Sequence, residues 1–483
     1  MKIINPFLQG PFEPLKNEYN LDKVRVVGEI PLELEGTLYR VGSNAEYMMD
    51  DPNRFHWFDG DGVVHAFHLK GGKASYTNRW VETEGLKAER KAGKQLYNGI
   101  YGRSEKPQGA LPAGAPAIKV TANVNVIQLG RRLLALHEFG AHYVEIDPVT
   151  LETKGTFDFN GEIKGMLTAH PHFDYRANEW LFCAFDNEAQ VVTSFTTDSE
   201  GNVLTKHETP LGCSPWNHDV IFTEHYFIYF FGMISCRPMA PDLIPEGKSA
   251  WFIDPETSRD ARMLFVHRQT GEAQWVKPDN SPYIIGHFMN AYEVNGNVIV
   301  DASITPLSGA LDTFSPEDHY PFPLVPGPSA FKGPELWTLT FALETGKVDT
   351  QRIGDFNAEF CRPNETLMGA KLRYGYVTTV HNPSPETRGF NSIAKHDYET
   401  GETQFQHLNS DYEMVPGEVI YVPHPKAKSE DHGWILNVWY DPRRNSSEMV
   451  IFDAQNFAGE PLARIQLDHR VPLGFHGNWV GSH

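Results

Sequence analysis

Four histidines in compact motifs are the residues best placed by type and setting to do chemistry. They are His170 in L-T-A-H-P-H-F-D, His218 in P-W-N-H-D-V, His287 in G-H-F-M-N-A-Y-E and His476 in G-F-H-G-N-W, close to the C-terminus. Termini usually fray, so a glycine-flanked, aromatic histidine motif there points to a tail tied into ordered structure. Four neutral imidazoles leave the charge of a divalent ion uncompensated, a donor set that suits iron, copper, nickel or zinc. The successive intervals of 48, 69 and 189 residues are too wide for a zinc finger or a helical H-E-x-x-H pair. Only a closed fold could bring the four together. Most of the chain's 21 histidines must be structural or solvent-facing. These four lie in apolar or glycine/proline settings, whereas His207, His267, His396 and His407 sit in polar hairpin runs.

A histidine that binds metal through one ring nitrogen needs an acceptor on the other, most often a carboxylate. Isolated glutamates in apolar strands offer themselves: Glu138 in L-L-A-L-H-E-F-G, Glu359 in A-E-F-C-R-P-N and Glu418 in P-G-E-V-I-Y-V-P. An unpaired buried carboxylate is costly, so each position calls for a partner unless it faces solvent on an edge strand. The D-G-D-G run at 59–62 begins like a calcium loop, but Lys70 stands where the bidentate glutamate should be, and a tight turn is the better reading. No G-x-S-x-G supports a serine hydrolase. The four histidine segments lack the carboxylate or amide ligands of a metal-dependent lactonase.

Strands must position these side chains. From about residue 30 the chain repeats a β-prone run, a Gly, Asn or Asp turn, and a second β-prone run. Examples are A-F-H-L-K-G-G-K-A-S-Y-T, Y-E-V-N-G-N-V-I-V, F-A-L-E-T-G-K-V and K-H-D-Y-E-T-G-E-T-Q-F, all with turn residues that accept positive φ. Many successive hairpins mean an all-β protein, and a propeller best accommodates this length while protecting sheet edges. No fixed period gives the blade number. One short charged helix is expected within residues 83–95. Irregular insertions at 106–116, 237–256 and 306–334 read as loops on one face. No linker separates independent domains. Residues 1–483 are therefore read as a single domain, with 1–27 an N-terminal extension packing on it.

The 483 residues, 40% hydrophobic and 12% aromatic, can bury a large core. A formal net charge of -20, from 42 basic and 62 acidic residues, argues against nucleic acid as a partner. Cys183, Cys213, Cys236 and Cys361 show no C-x-x-C spacing, which points to a reducing, cytoplasmic setting. The N-terminal apolar stretch is too short for a signal peptide and is broken by Pro6. The most apolar later run, 220–234, is too short to span a bilayer; peripheral membrane contact through loops stays open.

The order of motifs resembles the carotenoid cleavage oxygenase family. The resemblance rests on E-G-T-L-Y-R-V-G-S-N at Glu35, H-W-F-D-G-D-G-V-V-H-A-F at His56, the T-A-H-P and H-D-V segments, H-x-x-N-A-Y-E, R-Y-G-Y at Arg373, G-E-V-I-Y-V-P and G-F-H-G-x-W. It runs in order over residues 28–479. It implies a seven-bladed β-propeller with a dome of loops and short helices over one axial non-haem Fe(II) per chain. The implied ligands are His170, His218, His287 and His476, backed by Glu138, Glu359 and Glu418. His172 lies two residues past His170 beyond Pro171, and the family pattern uses the first of the two. Seven blades take about 69 residues each, more than the roughly 40–45 of a compact repeat, and the insertions supply the excess.

The implied reaction is oxidative cleavage of a conjugated carbon–carbon double bond with O2 as co-substrate, giving two carbonyl products. In the family's stilbene- and phenylpropene-cleaving branch, a lysine just before the first glutamate and an upstream tyrosine contact the substrate's phenol. Here His137 holds the lysine's place, and Tyr101 in Y-N-G-I-Y-G-R matches loosely. Histidine is a weaker cationic donor than lysine near neutral pH, so an apocarotenoid or similar apolar polyene is expected ahead of resveratrol- or isoeugenol-like substrates. A propeller that binds an apolar ligand without turning it over, or isomerises it, is the reading from another class.

Overall fold

The structure, a computed structural model, describes residues 5–48, 52, 55–97, 111–138, 140–212, 217–232, 234–236, 251–253, 262–278, 283–306, 334–383, 387, 389–409 and 411–482. Runs of strand-forming residues broken by turns pair into seven antiparallel sheets of four or five strands, the blades of a seven-bladed β-propeller. Two expected hairpins show why the turns fall where they do. Lys70 pairs with Lys73 across Gly71 and Gly72, and Val294 pairs with Asn297 across Asn295 and Gly296. In each, both central residues have positive φ, as a two-residue turn matched to strand twist requires.

Blade 1 consists of Gly36–Asn44, Asp61–Lys70 and Lys73–Trp80, with the C-terminal strand Gly477–Gly481 on its inner edge and Tyr19–Leu21 on its outer edge. Blade 2 is Asn125–Leu129, Arg132–Leu136, Tyr143–Ile146 and Thr153–Phe157. In blade 3 the short strands Met166–Leu167 and His172–Asp174 both pair with Glu179–Asp186, followed by Val191–Thr197 and Val203–Pro210. Blade 4 is Val220–Phe222, Tyr226–Phe231, Arg262–His267 and Ala273–Val276. Tyr283–Val294, Asn297–Pro306, Glu335–Ala342 and Lys347–Asn357 make blade 5, and Glu359–Pro363, Tyr374–Thr379, Ser392–Asp397 and Thr403–Gln406 make blade 6. Blade 7 is Val415–Pro423, Gly433–Asp441, Ser446–Asp453 and Ala463–Gln466, with Arg25–Gly28 on its outer edge. Segments near both ends of the chain are thus paired into the sheets of blades 1 and 7.

The core lies between blades. One apolar cluster joins blades 3, 4 and 5 through Phe185, Phe230 and Phe288, and another joins blades 7 and 1 through Trp434, Ile451 and Phe67. Each fully buried Leu or Phe contributes roughly 1.5–3 kcal/mol, so blade contacts dominate the stability.

The expected short helix is present as Glu84–Ala92. Thr83 caps it by accepting the Leu86 N–H, and Gly93 at φ 68 ends it before residue 95. Half-buried Lys119 ties it to blade 1, lying 2.7 Å from Asp61 and 2.6 Å from Glu89. Trp57–Asp59 forms a short 3-10 turn, and the D-G-D-G run leads from its last residue into the strand Asp61–Lys70. Most of the insertions at 106–116, 237–256 and 306–334 lies outside the described residues, as does Tyr101. Among the described residues, no helix is long and apolar enough to cross a membrane.

Candidate metal centre

Each of the seven blades contributes one of the seven predicted residues. His476 stands just before the inner strand of blade 1, and Glu138 follows the second strand of blade 2. His170 lies between the two short inner strands of blade 3, and His218 precedes the inner strand of blade 4. His287, Glu359 and Glu418 belong to the inner strands of blades 5, 6 and 7. Those three strands share one device: their pairing register shifts at Ile285/Phe288, Glu359/Arg362 and Pro416/Val419. A bulge re-aims the side chain it carries, which lets a strand edge present its residue to the axis.

The four histidines meet through their Nε2 atoms. Neighbouring separations are 3.1 Å for His170–His218, 3.1 Å for His218–His287 and 3.2 Å for His287–His476. Among the described residues, this quartet is the group of His, Cys, Asp or Glu whose ligand atoms could share an ion, all lying within 4.8 Å of one another. Bonds of about 2.1 Å would set neighbouring nitrogens about 3.0 Å apart in an octahedron and about 3.4 Å apart in a tetrahedron. The observed spacing lies between the two, as donors that share one ion require.

The outer nitrogens are held from behind. Nδ1 of His218 donates to Glu138, Nδ1 of His287 to Glu359 at 2.5 Å and Nδ1 of His476 to Glu418 at 2.8 Å. Each bond fixes the tautomer that leaves the Nε2 lone pair facing the centre. The glutamates are themselves anchored. The Ser303 hydroxyl donates to Glu359, and the Gly477 N–H donates to Glu418 at 2.8 Å. Burial alone would raise the Glu418 carboxyl, but Arg362 at 3.1 Å, then His476 and Arg40, outweigh it and hold it at about 2. Burial holds His170 well below the usual imidazole range and His476 at about 4, so both offer neutral nitrogen near pH 7. Burial would also lower His287, but Glu359 beside it raises it.

Glu359, Glu418 and Asp219 are buried acids around the quartet, and Glu138 is half-buried beside it. Four neutral imidazole donors match the chemistry of a divalent cation.

Sequence reasoning missed Asp219, Arg40, Arg362 and Ser303. A signal existed for two: Asp219 follows His218 directly, and Arg362 sits inside the apolar run E-F-C-R-P-N that carries Glu359. His172 takes no part in the quartet; its Nε2 lies 3.5 Å from Asp219. His137, the residue in the lysine's place, is set as a weak cationic donor would be. It is buried, burial and His142 lower its pKa to about 3, and neither ring nitrogen has a hydrogen-bond partner among the described residues. A neutral imidazole cannot hold a phenolate by charge. Phe360, forced to φ 51 beside Glu359, packs its ring 5.6 Å from that of His287 and 5.5 Å from that of His476. It joins Phe475, Trp57, Phe390 and Phe7 in a buried aromatic cluster.

Comparison with known proteins agrees in extent with this geometry. The family model described as "Retinal pigment epithelial membrane protein" matches residues 12–481. The apocarotenoid-15,15'-oxygenase of Synechocystis sp. is 29% identical, covering 97% of this chain and 94% of that protein. Lignostilbene-alpha,beta-dioxygenase isozyme III of Sphingomonas paucimobilis is 30% identical, over 98% of this chain and 97% of that one. The crystal structure of Pseudomonas brassicacearum lignostilbene dioxygenase superposes with a TM-score of 0.87 at 25% identity, over 99% of both chains.

Proposed function

The chain belongs to the retinal pigment epithelial membrane protein family of carotenoid cleavage oxygenases, and from that premise we propose that it is a non-haem Fe(II) dioxygenase. In this reading it splits a conjugated carbon–carbon double bond with O2 into two carbonyl products. The observation that carries the reading is the convergence of four Nε2 atoms, three of them backed by glutamate. His170, His218, His287 and His476 would hold one iron per chain, and bound Fe(II) would supply the activation of O2. The protein's own work is to orient and to exclude water. Neutral ligands leave room at the ion, and the aromatic cluster of Phe360 and Phe475 keeps the space beside it dry. No side-chain acid or base is required.

An apolar polyene such as an apocarotenoid is the favoured substrate, because the neutral, buried His137 offers no charge to a phenolate. A stilbene or phenylpropene is the second reading, supported by the 30% identity to a lignostilbene dioxygenase. Such a substrate would reach the protein from a cytoplasmic or membrane-peripheral pool. Oxygen uptake on an apocarotenal, resveratrol and isoeugenol, with aldehyde products identified by mass, tests both. Efficient cleavage of the phenols alone would overturn the preference, and no uptake on any conjugated alkene would return the chain to a non-catalytic binder of apolar ligands.

A further inference from the structure

Asp219 is a buried carboxylate that none of the three histidine–glutamate pairs uses. It follows His218 in the chain. Its Oδ1 accepts the N–H of Val220 at 2.8 Å, which holds it against its own strand in blade 4. Its Oδ2 accepts the N–H of Phe288 at 2.8 Å, and Phe288 is the residue after His287 in blade 5. Blade 3 meets the same carboxylate through two rings, His172 Nε2 at 3.5 Å and His170 Nδ1 at 4.0 Å from Oδ1. One side chain therefore touches all three consecutive blades that carry a member of the quartet.

The placement answers a gap in the site. His218, His287 and His476 each have a glutamate on Nδ1, whereas His170 has none; among the described residues Asp219 is the acid within 4.0 Å of that nitrogen. Blades 3, 4 and 5 meet through side-chain packing, which resists separation but tolerates small sliding. Charge-assisted bonds from a rigid, short side chain to backbone amides are directional and resist sliding.

We propose that Asp219 is a positioning residue of the metal centre: it locks the His218 strand to the His287 strand and sets a carboxylate charge 4.0 Å from the His170 ring. The proposal rests on the metal-centre reading above. An asparagine of the same shape can satisfy only one of the two amides, since its NH2 would face the other donor. In Asp219→Asn the ligand strands lose one tie at unchanged side-chain volume.

The test uses Co2+ loaded into the full-length protein, because its visible absorption reports the ligand field directly. Asp219→Asn should keep the wild-type far-ultraviolet circular dichroism, show an altered Co2+ absorption band, and release Co2+ to a chelator about 10- to 100-fold faster, the range typical of outer-sphere partners. Asp219→Glu, which keeps the charge on a longer side chain that cannot bond the same two amides, should show a change in the same direction and serves if the asparagine variant fails to fold. Folded variants with the wild-type band and the wild-type release rate would overturn the role of Asp219 alone. A wild-type protein that takes up no Co2+ would overturn the metal-centre reading and this proposal with it.

Discussion

A glutamate behind a ligating histidine fixes the ring's tautomer and brings a charge that must itself be neutralised. The pairs differ in how the second task is met. Glu359 accepts from His287 and the Ser303 hydroxyl, whereas Glu418 also faces the buried guanidiniums of Arg362 and Arg40. Changing either to glutamine should weaken metal retention about 10- to 100-fold. Glu418→Gln should also leave buried Arg40 without its carboxylate and Arg362 with Glu365 alone, at a cost of about 3–5 kcal/mol. Metal content and melting temperature of the two variants separate these effects; equal melting temperatures would remove the arginine frame from the account. Asp301 supplies a residue-scale prediction away from the centre. Burial pushes its carboxyl up to about 7, against a hydroxyl bond from Thr338 that lowers it. With a folded pKa above the unfolded value of about 3.9, its contribution is fully present below that value and is lost as pH rises to about 7, at roughly 1.4 kcal/mol per pH unit. Asp301→Asn should therefore flatten the fall in melting temperature between about pH 4 and pH 7, and parallel curves for the two proteins would contradict it.

At the scale of elements, the bulged inner strands carry the design. Gly417, just before Glu418, lies so close to Arg40 that an added Cβ would overlap its guanidinium. Gly417→Ala should displace Arg40 from Glu418 and destabilise the fold by about 1–3 kcal/mol, as overpacking does. A variant that melts with the wild type would show that the close approach is dispensable. What the sequence reveals divides along the same line. Hairpins were legible because Gly71–Gly72 and Asn295–Gly296 announce positive φ locally. The four histidines were legible from their apolar, glycine-flanked motifs, and the glutamates from carboxylates placed in apolar runs. Bulges at Ile285/Phe288 and Pro416/Val419 were not, because a register shift depends on two strands at once. Asp219 and Arg362 were passed over because a charged residue beside a singled-out one reads as local solvation until its partners, Phe288 and Gly477 among them, are known. The depth at which His137 lies was not legible either, because burial is a tertiary property.

In the whole molecule, closure and chemistry are the same arrangement. The ring closes by receiving Gly477–Gly481 into blade 1, and the residue before that strand is His476. The last ligand arrives only when the propeller is complete, and each blade then has one residue at the axis. No sharp repeat in the sequence announces seven blades, since insertions stretch them unevenly; the number came from the resemblance and is borne out by the sheets. The central claim is that this closed ring holds one iron on which alkene cleavage depends. Its most direct test is to strip the protein of metal, return Fe(II) in measured steps without air, and follow oxygen-dependent cleavage of an apocarotenal at each step. The account predicts activity that rises in proportion to bound iron and levels off at about one ion per chain, and cleavage by the stripped protein, or a rate indifferent to iron, would contradict it.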